Sequence, residues 1–567
     1  MSWTTALCLL SVVVYAATAS LVCRRQESGI VGVCVFLRRA FHSSAVLNRW
    51  LYIDGGEFSY YDGEGIAYQY STSLVSIDLT KDWTNTSVSL HSIPKPPGTP
   101  NLRHGGIWVD RARGVLYTGF SGTHSHFGDG APSPQGLWSF TPDRSGKPSG
   151  SWKNLNESAH DSFTRQPRPF RGQVASGDGF GFLLAGFVGD GVCTQTHISS
   201  LAAYDLSSKG LRNFSDARAL APGWEQYGGT TFVPNWGRHG ILISVGGYHG
   251  GGAENMVSFQ TVLIYDIDSQ RWFEQETSGD IPRPRKEFCI AGGVSNKRTH
   301  DILVYGGWDG RAGPDAVPYD SAFVLTLPGF HWVRADYPPR HPRHGHSCNG
   351  VGGGQILIVG GVDSAHLDPA KEVYRSVFDT PDPFTKGLAI FDLSKLAWSP
   401  SYSANRGLQK PAPQIQAYYD AHGRVPASGF SSRDLERLFA VDDFRKWDES
   451  TLTSGASHRG SHSVGAIIGP LVGVAVVVAL AIVAGCWRHR PDSGGCRGRV
   501  ICHELLRRLG RAVSRARSRR FLRVIYEERL HGLERESQNR TPQASGGPEG
   551  IELGETDRRR VRFAPEV

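Results

Sequence analysis

Residues 281–307, IPRPRKEFCIAGGVSNKRTHDILVYGG, contain the pattern that decides the fold of this chain. A basic segment with two prolines leads into a short strand, a turn and a second strand that ends at Gly306 and Gly307. The second strand is a continuous apolar run, which is typical of a strand buried on both faces. Glycine at its end permits positive φ and the close approach of another backbone. Further strand patterns follow at 322–327 and near Trp332, so the stretch predicts one sheet of four short antiparallel strands.

A strand ending in two glycines recurs along the chain. The glycines of the clear copies are Gly55, Gly56, Gly246, Gly247, Gly306, Gly307, Gly360 and Gly361. Weaker copies end near Gly122 and Gly186. A second motif, in which a strand ends in Asp and Trp follows, keeps step with the first at 77–83, 265–272 and 391–398. A period of about 50 residues with a glycine pair is typical of kelch repeats, each of which forms about one propeller blade.

On these motifs the chain resembles the kelch and galactose-oxidase-like β-propellers, and it is similar to fungal single-pass membrane proteins with a kelch ectodomain. The resemblance covers about residues 41–402 and implies an all-β fold, with a six-bladed kelch-type β-propeller ectodomain. An unrelated all-β sandwich with glycine turns is the alternative. The first and last repeats each contain all four strand patterns, and a further strand at 414–419 is expected to cover a blade edge.

The chain is predicted to comprise six segments. They are a signal peptide at 1–19, an unassigned insert or spacer at 20–40, the kelch propeller at 41–402, a linker and stalk at 403–463, a transmembrane helix at 464–486 and a cytoplasmic tail at 487–567. Ala17-Thr18-Ala19 fits a signal-peptide cleavage site, with an uncleaved anchor as the alternative. Within the linker, residues 431–447 are expected to form one amphipathic helix with a serine at its cap.

Membrane topology is predicted from the apolar run 464–486 and its flank. The run is uncharged and long enough to span a bilayer. Trp487 and the arginines from Arg488 onwards follow it, which predicts a cytoplasmic C-terminal side. The localisation expected from the sequence is therefore the plasma membrane or another secretory-pathway membrane, with single-pass type I topology and the propeller extracellular or lumenal.

The basic character of the chain belongs to its C-terminal tail. Residues 488–567 contain 19 Arg, no Lys and 11 acidic residues, a net charge of +8, which is also the net charge of the whole chain. The sequence pI near 9.0 is therefore no argument for a propeller that binds nucleic acid. Residues 503–530 are expected to form a basic helix that either lies on anionic lipid or is solvated. Residues 537–567 are expected to be disordered, so the basic cytoplasmic tail is largely disordered in this prediction.

Long inserts follow the glycine pairs or their weaker equivalents. They are 59–69, 121–135, 248–258, 308–319 and 363–385. Because each follows the same strand, all are expected on one face of the propeller, and loops on a rigid scaffold are a usual site of binding. The predicted function is a membrane-anchored extracellular binding or adhesion module for a protein or glycan ligand. The alternative is a galactose-oxidase-like or carbohydrate-active enzyme on the cell surface.

No residue is predicted to be catalytic, to bind a cofactor or to ligate a metal. The motifs G-x-S-x-G, H-E-x-x-H and the phosphate-binding loop are absent from the sequence. Five histidines come in two clusters, His124 with His126, and His341 with His344 and His346. His-x-His ligates a metal when a third ligand converges, but in kelch proteins histidines at this position are usually structural.

Cysteines and glycosylation motifs complete the candidate residues. Cys289 and Cys348 occupy similar positions in consecutive repeats and are interpreted as buried thiols rather than a bridge, because equivalent positions one blade apart need not be within disulfide reach. The N-x-[ST] motifs at Asn85, Asn156 and Asn213 are predicted glycosylation sites near strand ends or turns, with an unused motif as the alternative.

Overall fold

A computed structural model describes eleven ranges of the chain, all within one compact unit that spans residues 1–457. The ranges are 35–128, 136–143, 148–156, 169–189, 195–216, 227–248, 255–311, 313, 316–317, 319–366 and 375–440. They are rich in strands and contain two short α-helices.

The first half of the described chain contains eighteen strands. They are β1 (Val35–Ala40), β2 (Ser43–Leu47), β3 (Trp50–Asp54), β4 (Glu57–Tyr61), β5 (Ile66–Tyr70), β6 (Ser73–Asp78), β7 (Trp83–Thr84), β8 (Leu90–Pro94), β9 (Leu102–Arg103), β10 (Trp108–Asp110), β11 (Val115–Thr118), β12 (Thr123–His124), β13 (Trp138–Pro142), β14 (Gly150–Asn154), β15 (Gln173–Gly177), β16 (Phe180–Gly189), β17 (Gln195–Asp205) and β18 (Gly210–Asp216).

The second half contains fourteen strands and the helices. The strands are β19 (Gly229–Val233), β20 (Ile241–Val245), β21 (Thr261–Asp266), β22 (Arg271–Glu276), β23 (Ser278–Gly279), β24 (Cys289–Val294), β25 (His300–Tyr305), β26 (Ala322–Leu327), β27 (His331–Arg334), β28 (Ser347–Gly350), β29 (Gln355–Val359), β30 (Leu388–Asp392), β31 (Ala397–Ser399) and β32 (Ser401–Tyr402). The α-helices are α1 (Pro413–His422) and α2 (Arg433–Ala440), and short 3-10 helices lie at Ser364–His366, Ser376–Phe378 and Thr385–Gly387.

Six four-stranded antiparallel sheets form the blades. Their strand orders are β2-β3-β6-β8, β10-β11-β13-β14, β15-β16-β17-β18, β19-β20-β21-β22, β24-β25-β26-β27 and β28-β29-β30-β31, with β23 added in parallel to the fifth. The first strand of each blade contacts the first strand of the next, and β28 of the sixth blade contacts β2 of the first. These inner strands therefore surround one central channel, and the propeller-like architecture that the repeats predict is supported.

The hydrophobic core lies between the blades. One buried cluster fills each junction; for example, Leu51 and Ile77 of the first blade pack with Leu357 and Ile390 of the sixth. Strand β25 is buried on every residue because neighbouring blades cover both of its faces. Burial on both faces explains why the runs before the glycine pairs are continuously apolar.

The ring closes between the sixth and first blades through segments outside the blades. Strand β1 pairs with β4, which pairs with β5, in a separate three-stranded sheet. The N–H of Gly361 in the sixth blade donates to the carbonyl of Arg39 in β1, at 2.7 Å. On the outside, β32 pairs with β7, and Trp83 stacks on Tyr402 at 5.0 Å between ring centroids.

These segments correct two assignments made from the sequence. The spacer assigned to 20–40 includes residues 35–40, but these form β1, because they complete the junction between the last and first blades. The insert 59–69 is interpreted as a loop from the sequence, but most of it belongs to β4 and β5.

Each glycine pair is hydrogen-bonded to the backbone of the next blade. The N–H groups of Gly56, Gly247, Gly307 and Gly361 donate, at 2.7–3.3 Å, to carbonyls of the segment that leads into the following inner strand. All eight glycines of the four clear pairs have positive φ, between +58° and +113°. A side chain has little room there, since a Cβ on Gly360 would lie 2.2 Å from the carbonyl oxygen of Arg39.

Buried arginines donate hydrogen bonds to carbonyl groups of the glycine pairs in their own blade. Arg285 Nη1 donates to the carbonyl of Gly306 at 2.9 Å, and Arg343 Nη1 donates to the carbonyl of Gly360 at 2.6 Å. The charge of Arg343 is paired with Asp382, at 3.0 Å, and both side chains are at most 1% exposed. The basic residue before each of these inner strands is therefore part of the scaffold.

The segment after the last blade packs back on the propeller through its two helices. The sequence predicts a strand at 414–419, but these residues belong to α1. The reason is that Pro413 opens the helix and the buried residues Ile415 and Tyr418 have helical spacing. Helix α2 buries Leu435 and Phe439 against the fourth and fifth blades. The sequence predicts this helix over 431–447 with a serine cap; the Oγ of Ser432 accepts from the N–H of Leu435 at 3.2 Å, and residues 441–447 lie outside the described ranges.

The prediction of a transmembrane helix is not upheld. Helices α1 and α2 have ten and eight residues, and the described part of the chain contains no helix with the length and hydropathy to cross a bilayer. On this finding the fold class, which included that helix, and the type I localisation are wrong as predicted. The fold class is corrected to all-β with two short helices in the described ranges. The residues assigned to the leader, the span at 464–486 and the tail lie outside the described ranges.

The glycine pairs give the first testable prediction. Gly307→Val is expected to destabilise the fold by about 1–3 kcal/mol from backbone strain alone. The reason is that Gly307 has φ +92° and a Cβ there would lie 2.9 Å from the carbonyl oxygen of Lys286. The free energy of unfolding from denaturant titration is the measurement.

Gly407→Val is the matched control, because Gly407 has no positive φ and no heavy atom lies within 4 Å of the position that its Cβ would occupy. Equal destabilisation by the two substitutions would contradict the role assigned to the glycine pair.

Candidate functional site: the central channel and the loop face

One residue per blade, just before the inner strand, surrounds the central channel. We call these six residues the axial ring. They all have positive φ, between +48° and +63°, and are Phe41, His104, Arg171, Tyr227, Glu287 and Gly345. Non-glycine residues with positive φ are uncommon, so five of them at equivalent positions indicate a strong structural requirement.

Backbone hydrogen bonds connect the axial ring. Five of the N–H groups donate to the carbonyl of the preceding blade's ring residue, at 2.8–3.1 Å, so that one series of bonds joins Arg171, Tyr227, Glu287, Gly345, Phe41 and His104 in that order. The series includes the junction between the sixth and first blades, where Phe41 donates to Gly345. Gly345 also leaves the space that the Phe41 ring fills, because a Cβ there would lie 2.5 Å from that ring.

A polar and aromatic cluster lies beside the ring where the fourth, fifth and sixth blades meet. Glu287 is hydrogen-bonded to His344 Nδ1 at 2.7 Å, and Trp308 stacks on the His344 ring at 4.7 Å between centroids. The ammonium group of Lys286 lies 4.8–5.1 Å from the ring centroids of Tyr227, Tyr248 and Trp308. Such cation–π contacts attract a cation, but burial lowers the pKa of Lys286 below its usual value, although Glu287 opposes this shift.

Burial shifts the ionisation of this cluster. Burial lowers the pKa of His104 well below its usual value, with Arg103 and Arg171 adding to the effect. Burial opposes the charge of Glu287, but the hydrogen bond from His344 and the nearby positive charges outweigh it, so the pKa of Glu287 lies below its usual value. The axis of the channel therefore carries an ionised carboxylate at neutral pH.

A cavity of about 760 Å³ occupies the channel, lined by inner-strand residues and by the turns that follow them. Many of its lining residues are small, as Ala45, Gly177, Ala291 and Gly350 illustrate. Cys348 also lines it. The cavity is large enough for a small ligand, and polar residues such as Asp178, His239 and Asn349 line it beside the small ones.

The face of the propeller that carries the segments after the glycine pairs is here called the loop face. Segments of three blades pack together there. Phe127 of the second blade contacts Phe378 of the sixth and Tyr68 of the first, with centroid separations of 5.2 and 5.3 Å. The hydroxyl of Tyr68 also donates to Asp379. The loop face is therefore a packed surface in this region, as an interaction surface on a rigid scaffold requires.

A row of exposed apolar side chains crosses the three-stranded sheet of the loop face. Val35 of β1 is paired with Tyr61 of β4, and Tyr61 is paired with Ile66 of β5. Directly paired residues project from the same side of a sheet. The three residues are 39%, 43% and 37% exposed, respectively. We call them the apolar row.

The predicted glycosylation sites differ in their surroundings. Asn85 is half-buried in a turn. The side-chain oxygen of Asn156 accepts from the N–H of Leu137 at 2.7 Å, and Asn213 lies on β18. Glycosylation at these three residues stays a prediction.

The histidine and cysteine candidates converge in one place. Cys289 and Cys348 lie on adjacent inner strands with their Cα atoms 5.3 Å apart, and they form a disulfide. The interpretation as separate thiols is therefore wrong, because blades approach one another most closely at the axis and equivalent inner positions come within bridging distance. In the described ranges, one group of three potential metal ligands has its donor atoms within 4.8 Å of one another: Cys289, His346 and Cys348.

His344, which belongs to the same histidine cluster as His346, is hydrogen-bonded to Glu287 through its Nδ1.

The axial ring is the part of the site that the sequence does not reveal. Its positions are visible only as the starts of repeats, for example in Arg103-His104-Gly105. The positive-φ position is occupied by residues as different as Phe41, Arg171 and Glu287, so no single residue type marks it in the sequence. The available signal is their constant position, two residues after the carbonyl that the preceding glycine pair binds.

Comparison with known proteins agrees with the repeat architecture. No family model matches the chain. It is 23% identical, over 454 residues covering 72% of the chain, to a kelch repeat-containing protein of Arthroderma benhamiae. This similarity supports the kelch-repeat assignment. The match spans 63% of the length of that relative.

The Glu287–His344 pair predicts a pH dependence of stability. The folded-state pKa of Glu287 lies below its unfolded value near 4.5, so its contribution is present above that pH and is lost as the pH falls below it. Glu287→Gln should reduce stability at pH 7 by about 1–3 kcal/mol and should flatten the decline below pH 4.5. Denaturant titrations between pH 3 and pH 7 measure both effects.

Glu64→Gln makes the same chemical change at an exposed residue and serves as the control. It should leave the pH profile of the wild-type protein unchanged. A Glu287→Gln profile parallel to the wild type would show that the carboxylate is not stabilised as described.

Proposed function

We propose that this chain is a kelch-type β-propeller binding module whose loop face recognises a protein. Its similarity to a kelch repeat-containing protein supports a binding role. The axial ring and the glycine pairs make the scaffold rigid, so surfaces on the loop face keep their geometry without a ligand. A preformed surface loses less conformational entropy on binding.

The apolar row carries the proposal. Val35, Tyr61 and Ile66 are exposed side by side on a sheet that also closes the ring, so they are held in fixed positions. Adjacent exposed apolar residues mark interaction sites more often than isolated ones do. Tyrosine in particular provides a large contact area with little conformational entropy to lose.

A protein fits this row better than a glycan, the other ligand class expected from the sequence. Specific small-ligand sites combine an apolar surface with a few convergent polar groups. The row itself offers aliphatic side chains and one phenol. The Tyr61 hydroxyl donates to the carbonyl of Gly63, so its hydrogen is used within the hairpin.

The double substitution Tyr61→Ser/Ile66→Ser tests the proposal. Partners are captured on the immobilised full chain and then produced in pure form for direct affinity measurement. Removal of two central apolar contacts should weaken the affinity for a loop-face partner by roughly ten-fold or more, while thermal unfolding of the propeller stays close to that of the wild type.

Leu408→Ser is the matched control, because Leu408 is 49% exposed and lies in the segment after the last blade. It should retain full affinity. A partner that binds the double variant as tightly as the wild type would contradict the assignment of the apolar row as the binding surface. Specific, saturable binding on a glycan array, with no protein partner affected by the double substitution, would favour a glycan instead.

A further inference from the structure

The Cys289–Cys348 disulfide has a buried histidine beside it. Cys289 lies on β24 and Cys348 on β28, and His346 directly precedes β28. The two sulfur atoms and a ring nitrogen of His346 lie within 4.8 Å of one another. Three side chains from two blades thus present sulfur and nitrogen donors to one point at the channel wall.

The hydrogen bonding of His346 sets which ring nitrogen is available. Nε2 lies 3.1 Å from the carbonyl oxygen of Tyr305, which only accepts, so Nε2 carries the proton and donates. Nδ1 then keeps its lone pair. In the described residues this buried Nδ1 has no hydrogen-bond partner, although His346 is only 7% exposed. A neutral imidazole fixed by a carbonyl is the usual form of a metal-binding histidine.

The central cavity gives access to this group. Cys289 is buried, whereas Cys348 is half-buried and lines the cavity of about 760 Å³. A small thiol or a metal ion that enters the channel therefore reaches Cys348 without unfolding a blade. The cavity side also leaves room for a fourth ligand such as water.

We propose that reduction of the Cys289–Cys348 disulfide creates a zinc site formed by the two cysteines and His346. The reductant is a small thiol or dithiol. Its sulfurs supply two electrons and two protons and become a disulfide, while the Cys289–Cys348 bond breaks to give two thiols. Zn²⁺ then replaces the two thiol protons, which pass to solvent, and takes Nδ1 of His346 as its third ligand.

The donor set selects the ion. Two thiolates and an imidazole match zinc, whereas calcium and magnesium require oxygen ligands. Two thiolates also cancel the charge of Zn²⁺, and a neutral complex avoids the cost of an unpaired charge in a mostly buried place. A Zn–S bond of about 2.3 Å requires the sulfurs to move apart after reduction, and the two cysteines are on separate strands that allow this.

Cobalt titration of the full chain tests the proposal, because Co²⁺ reports thiolate ligation by its absorbance. The protein is reduced with dithiothreitol, desalted without oxygen and titrated with Co²⁺, followed by displacement with Zn²⁺. The reduced wild type should bind one more Co²⁺ per chain than the Cys289→Ser/Cys348→Ser variant, with thiolate-to-cobalt absorbance that Zn²⁺ abolishes. The oxidised wild type should lack this additional site.

His346→Ala should weaken the additional site at least ten-fold, and His331→Ala, which changes a half-buried histidine stacked on Tyr418, should leave it unchanged. Near-ultraviolet circular dichroism checks that each variant is folded, and His346→Gln provides a milder second variant. Equal Co²⁺ uptake by the reduced wild type and the double cysteine variant would overturn the proposal. So would a disulfide that yields no thiols in the folded chain.

Discussion

The close approach of backbone segments around the channel is the constraint on which the rest of the structure depends. A glycine pair at the end of one strand donates a hydrogen bond to the chain of the next blade, and positive φ directs its N–H there. A side chain on Gly55 would place its Cβ 2.1 Å from the carbonyl oxygen of Leu102. Glycine is required because both the conformation and the space exclude other residues.

The same close approach of backbone segments explains the unusual conformation of the axial ring. Residues of the axial ring adopt positive φ so that their N–H groups reach carbonyls of the blade before them. The strain of these conformations is offset by the hydrogen bonds and by the buried clusters between blades. Closure uses the same contacts, since Gly361 binds Arg39 as the other pairs bind the blades that follow them. The first blade therefore needs β1 in order to meet the sixth.

A scaffold of this kind separates stability from recognition. Buried arginines such as Arg285 and Arg343 maintain the glycine pairs, so these basic residues of the repeat serve the fold. The segments after the pairs form the loop face, where the apolar row is exposed and its backbone is fixed by strand pairing. The inner strands, in contrast, bring chemically reactive side chains together at the channel wall, as with Cys289, His346 and Cys348.

The sequence by itself determined the all-β class, the strands before the glycine pairs and the positions of the repeats, because apolar runs and glycine are local signals read within one blade. It was also sufficient to place the long inserts after the same strand. It led to errors where the decisive contact was distant. Residues 35–40 form a strand only because β4 and the sixth blade contact them, and 414–419 form a helix packed on the fifth blade.

Only the tertiary structure decided how the ring closes, which residues surround the channel and that Cys289 meets Cys348. These features depend on separations between blades, which converge at the axis and place residues 59 positions apart in direct contact. The spacing of residues in the sequence does not show how closely the inner strands of neighbouring blades approach one another. The repeat thus specified each blade, and the closure of six blades around one axis specified the site.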